Sequence, residues 1–95
     1  MLRNAKRKGT KNEHKSMALL EAAGYRVTRA GGSLGVFDLI GVGAHAVVLV
    51  QVKSNRWPDP VEMEGIKEFP CPPNAAKLVH RWRDYQRVPD VKEVA

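Results

Sequence analysis

Three polar side chains interrupt the most apolar stretch of this 95-residue chain: Asp38 among Val36, Phe37, Leu39 and Ile40, then Gln51 and Lys53 at the end of a valine- and leucine-rich run that opens at Ala46. Side chains two apart on a strand share a face, so Gln51 and Lys53 point the same way. A hairpin turn at Gly43 to Ala46 would pair Val42 with Val47 and set Asp38 opposite Gln51, about 5 Å away at Cβ. The three groups then converge at one edge of a sheet. Glu13, on the helix that precedes these strands, is placed to lay a second carboxylate over that edge. Two carboxylates, a carbonyl oxygen and a water make the oxygen-rich shell that Mg²⁺ or Mn²⁺ prefers. Such an ion polarises a phosphodiester and yields hydroxide from bound water, while a neighbouring ammonium offsets phosphate charge. The same residues also have plain structural readings: Asp38 with Lys53 as a buried ion pair, and Glu13 as the N3 acid of a capping box opened by Thr10.

The elements that must position these residues follow from periodicity and punctuation. Residues 1 to 9, MLRNAKRKG, carry dense positive charge without an apolar pattern and read as a mobile basic arm. Thr10 offers an N-cap, Met17, Leu20 and Ala23 recur at helical spacing, and Gly24 supplies a stop, which predicts a helix over 11–23. Strands are expected over 25–30, 36–42 and 46–54, with the glycine-rich stretch Gly31 to Gly35 as a loop between the first two. Asp59 caps a short helix over 61–68 with Pro60 at its first position, and Pro70 to Pro73 ends it. In the segment 76–85, Leu78, Trp82 and Tyr85 fit a helical stripe while Leu78, His80 and Trp82 fit one face of a strand; the strand is preferred, with a terminal strand over 91–94. The expected class is α/β, a mixed sheet flanked by helices in one domain spanning residues 1–95.

A formal net charge of +6 favours a polyanionic partner, of which nucleic acid is the commonest for a small basic domain. Cys71 is the single cysteine, which excludes an internal disulfide and suits a reducing, cytoplasmic setting. No apolar run has the length of a membrane span, so no membrane partner is expected. His14, His45 and His80 lack zinc-site spacing, Cys71 has no base beside it, and Glu62 and Glu64 read as surface residues of the short helix. HRWRDYQR, residues 80–87, either grips a phosphate backbone or stacks on a base, or else packs Trp82 on the sheet with its arginines in water.

An acid on the first helix, an aspartate after a Gly/Ser loop, and a hairpin into a strand ending in x-x-Lys together resemble the PD-(D/E)XK nuclease superfamily. Within it, RKGTKNE, AGYRVTRAGGSLGVFDLIG and LVQVKSN look like the archaeal-type Holliday junction resolvases, over roughly residues 6 to 55. The resemblance implies a restriction-endonuclease-like fold and a Mg²⁺- or Mn²⁺-dependent endonuclease that resolves four-way DNA junctions by paired symmetric cuts as a homodimer. It assigns Glu13 and Asp38 to the metal, Lys53 to the attacking water or scissile phosphate, and Ser33 to the backbone being cut. Arg7, Lys8 and Arg29 fall where such resolvases contact DNA, and Lys11 extends the same basic cluster. Gln51 is the departure, because the pattern has Glu or Asp there and an amide brings an oxygen ligand without charge. Such a compact nuclease suits a bacteriophage-infected host or an archaeal cell. The rival expectations are a nuclease for flaps, nicks or duplex, a non-catalytic DNA-binding module, and an RNA-binding protein.

Overall fold

The computed structural model describes residues 2–95, with side chains described from Gly9 onward. Seven elements run in the order α1 (Leu2–Ala22), β1 (Arg26–Arg29), β2 (Leu39–Val42), β3 (Val47–Ser54), α2 (Pro60–Glu68), β4 (Ala75–Trp82) and β5 (Asp90–Val94). The strands form one sheet in the order β1-β2-β3-β4-β5, in which only β3 and β4 are parallel. A parallel neighbour requires a crossover, and α2 is that crossover. The apolar run of β3 has its explanation here: it is the central strand, covered on both sides, and such strands lose the polar alternation of a half-exposed one.

The expected hairpin forms in the expected register. Val42 pairs with Val47 and Leu39 with Val50, and the turn closes when Gly43 N–H donates to Ala46 C=O at 2.8 Å. Alternation then divides β3 between two cores. Val48 and Val50 pack with Leu39 and with Leu20 of α1 on one side. On the other, Leu49 packs with Phe37, Val79, Val94 and with Ile66 of α2. Gln51 and Lys53 continue the row of Leu49 and therefore face α2.

The N-terminal segment differs from its expectation. Residues 2 to 9 are helical, continuous with the rest of α1, where a segment without regular structure was expected. Leu, Ala, Lys and Arg are strong helix formers, and Gly9 alone does not outweigh them. Thr10 consequently lies inside the helix rather than at its cap, and Glu13 is released from any capping box. The buried stripe of α1 is Asn12, Ser16 and Leu20, at helical spacing of four, while Ala23 is exposed. Asn12 Nδ2 donates to Ser54 Oγ at 2.7 Å. Ser16 Oγ lies 2.8 Å from His80 Nδ1 and accepts from Trp82 Nε1 at 2.8 Å. These bonds bind one face of α1 to the ends of β3 and β4.

The short helix forms as its cap predicts. Asp59 Oδ1 accepts from Glu62 N–H at 2.8 Å, Glu62 Oε1 accepts from Asp59 N–H at 3.0 Å, and Pro60 opens the first turn. Its other end is closed from the sheet. Buried Lys77 of β4 donates to Ile66 C=O at 2.9 Å, Lys67 C=O at 3.0 Å and Phe69 C=O at 2.9 Å. All three ammonium protons are thus satisfied at the negative end of the helix dipole. Residues 75–82 are strand, and β5 adds an antiparallel edge beyond them. Among the described residues no helix is long and apolar enough to cross a membrane.

Candidate active site

The carboxylate of Asp38 is built into the sheet just before β2 begins. Its backbone C=O accepts from Ala30 N–H at 2.8 Å and its N–H donates to Val50 C=O at 2.8 Å. Its side chain then extends the ladder by one bond, Oδ2 accepting from Val52 N–H at 2.7 Å. Oδ1 accepts nothing among the described residues. Preceding it, Gly31 and Gly32 take φ values of +58° and +84°, a conformation that side-chain-bearing residues adopt at a cost. That turn leaves a cleft of about 300 Å³ lined by Gly31, Asp38, Arg29 and Glu13.

Glu13 reaches this cleft because Asn12, one residue earlier, ties α1 to Ser54 at the end of β3. Its Oε1 accepts from Arg29 Nε at 3.1 Å and lies 3.0 Å from Nη2 of the same guanidinium, with Arg29 half exposed at the rim. Burial raises the Asp38 carboxyl above its ordinary pKa; the negative charges of Glu13 and Glu62 act in the same sense, while the Val52 amide and the Lys53 ammonium oppose them. Three acids and one lysine are therefore in electrostatic reach of each other around Asp38.

On the α2 side of β3, Gln51 is buried and Lys53 half buried. Lys53 does not pair with Asp38. Its Nζ lies 3.2 Å from both Oε1 and Oε2 of Glu62, and Gln51 Nε2 donates to Glu62 Oε2 at 3.4 Å. Gln51 Oε1 is buried with no hydrogen-bond partner, the only such side-chain oxygen or nitrogen among the described residues. Glu62 was expected on the surface, so its place here is a correction. Two features of the sequence could have found it: the capping box turns an N3 side chain back towards the chain that enters the helix, and only eight residues separate Glu62 from Lys53.

The remaining candidates are more dispersed. Ser33 is exposed on the turn, its N–H donating to Ala30 C=O at 3.0 Å, and its hydroxyl makes no hydrogen bond among the described residues. Lys11 is exposed on α1. The side chains of Arg7 and Lys8 lie outside the described residues. His80 is buried, whereas His14 and His45 are exposed. In the 80–87 segment, Trp82 is buried against Ser16, and Arg81 pairs with Asp90 at 2.6 Å while stacking over Trp57 at 4.4 Å. Tyr85 is fully exposed on the following turn.

Comparison with solved structures finds Hjc, a Holliday junction resolvase from the archaeal hyperthermophile Archaeoglobus fulgidus. The TM-score is 0.68 at 20% sequence identity, over 83% of this chain and 67% of that one. The chain has the fold of that resolvase. The expected mixed sheet flanked by helices is therefore the fold observed. No family model and no curated protein matches the sequence.

The donor set of the cleft suits a hard divalent cation. No three His, Cys, Asp or Glu side chains form a metal-binding group among the described residues, so the acids alone do not make the site. Buried, unpartnered Gln51 Oε1 is a neutral oxygen of the kind that would join two carboxylates in the oxygen-only shell that Mg²⁺ and Mn²⁺ take.

Proposed function

We propose that this protein is a metal-dependent endonuclease that resolves four-way DNA junctions by paired symmetric cuts, acting as a homodimer. The observation that carries the proposal is Asp38, locked by Val52 N–H at 2.7 Å in a cleft shared with Glu13 and on the sheet edge that Gln51 and Lys53 approach. The likeness in fold to a junction resolvase supports it.

In this reading Asp38, Glu13 and Gln51 Oε1 would hold Mg²⁺ or Mn²⁺, which when bound supplies a polarised phosphodiester and an acidified water. The residues of the chain do the rest. Asp38 keeps one oxygen turned from the backbone because Val52 occupies the other. Lys53, charged against Glu62, brings an ammonium to the same strand end, where it offsets the negative charge of phosphate. Arg29 at the rim and Lys11 on α1 extend positive charge from the cleft along the path a phosphate backbone would follow, and Arg7 and Lys8 belong to the same reading. Ser33, exposed on the turn before Asp38, would meet the backbone being cut. Two cuts related by the symmetry of a junction call for two such sites related by a twofold axis.

The substrate is tested by offering a synthetic four-way junction, a flap and a linear duplex with Mg²⁺ or Mn²⁺. The account expects the junction to be cut preferentially, at symmetric positions on opposed strands. Equal cutting of duplex or flap would keep the nuclease and discard the resolvase. Gln51 favours one second reading, a DNA-binding module without chemistry, and binding of the junction with no cut in either metal would establish it.

A further inference from the structure

An amide occupies the position where a cleft of this chemistry calls for an acid, and the fold sets an acid directly against that amide. We propose that Glu62 carries, from α2, the negative charge that β3 lacks at Gln51, so that Gln51 gives the oxygen and Glu62 the charge. The inference rests on the nuclease reading and names a positioning residue within the same site.

Hydrogen-bond chemistry gives the first argument. An ionised carboxylate only accepts, so it can face only the NH₂ end of an amide. With Gln51 Nε2 on Glu62 Oε2 at 3.4 Å, Oε1 is the end of the amide not facing that carboxylate and is left buried without a donor. A buried carbonyl oxygen in that condition is costly unless something else supplies the partner. Glu62 thus orients the oxygen that the cleft needs.

Charge gives the second. Lys53 has Glu62 as its ion-pair partner, at 3.2 Å from each oxygen, and Gln51 beside it is neutral. Without Glu62 the lysine would stand at the strand end with no carboxylate in contact.

Fixity gives the third. The Asp59 N–H holds Glu62 Oε1 at 3.0 Å, and Lys77 fastens the other end of α2 to β4. The carboxylate is presented by an anchored helix rather than by a free side chain. Its charge is not explained by the cap, because glutamine fills the N3 position of a capping box as well as glutamate does.

That equivalence supplies the test. Mn²⁺ binding, followed by the loss of the free-ion paramagnetic resonance signal, is compared among the wild type, Asp38→Ala, Glu62→Gln and the exchanged double variant Gln51→Glu with Glu62→Gln. Wild type should bind in a manner that Asp38→Ala abolishes. Glu62→Gln should weaken binding by between about tenfold and a hundredfold, the range for groups that orient a ligand without touching the metal, at an unchanged melting temperature. The exchanged variant, with the acid returned to the strand and the amide on the helix, should recover most of that affinity. Wild-type affinity in Glu62→Gln, no recovery in the exchanged variant, or a loss that tracks a fall in melting temperature would each overturn the inference and leave the nuclease standing. Absence of Asp38-dependent binding in the wild type would overturn both.

Discussion

Asp38 illustrates how a single residue divides between fold and chemistry. Its Oδ2 replaces a backbone carbonyl in the pairing with Val52, and the same enclosure that secures this bond disfavours its charge. A carboxyl raised in the folded state takes up protons more readily folded than unfolded, so its contribution to stability improves as pH falls through the raised value. At neutral pH the ionised form is a standing cost. Asp38→Asn keeps an acceptor for Val52 N–H and removes that cost. It should therefore melt above the wild type at neutral pH while losing cleavage; a variant that melts lower would show that the enclosed carboxylate is not strained. The pairing of Asp38 with the end of β3 was legible in the sequence because the glycine and alanine turn fixes the register, and register fixes faces. Glu62 was missed as a partner of Lys53: the capping box and the short separation bring it back towards the chain that enters α2, but a cap accounts for an N3 glutamate without reference to the sheet.

Helix α1 shows why periodic reading has limits at the scale of an element. The pattern Met17, Leu20, Ala23 selects apolar residues, but the face that meets the sheet is Asn12, Ser16, Leu20. Two of the three are polar, and they are buried because Ser54, His80 and Trp82, more than forty positions away, supply their hydrogen bonds. No local signal carries that information. The same network carries a pH dependence. The indole Nε1 of Trp82 only donates, so Ser16 accepts from it and keeps its own proton to offer His80 Nδ1, an arrangement that suits the neutral imidazole. Burial lowers the His80 pKa below its usual 6.5. The unfolded chain then binds a proton that the folded one refuses, so stability falls as pH drops below about 6.5 towards the lowered value. Urea unfolding at about pH 7 and about pH 5.5 should show this loss in the wild type and a flatter response in His80→Asn, which retains an acceptor for Ser16. At neutral pH, Ser16→Ala should cost about 1–3 kcal/mol by leaving Trp82 Nε1 and His80 Nδ1 without their partner.

The whole molecule joins a net charge of +6 to a mixed five-stranded sheet with the fold of an archaeal junction resolvase. Most of that architecture was readable: all five strands, the capped crossover helix and the hairpin register follow from turn residues, capping and β-branched runs. The extent of α1 was not, because a cluster of positive charge suggests solvation while lysine and arginine also favour helix. The central claim is that Asp38 and Lys53 perform chemistry on DNA rather than merely holding the sheet edge. The most direct measurement compares cleavage and binding of a four-way junction by wild type, Asp38→Ala and Lys53→Ala with Mg²⁺ or Mn²⁺. The account predicts paired symmetric nicks from the wild type, none from either variant, and junction affinity retained in both. Undiminished cleavage by Asp38→Ala would contradict it.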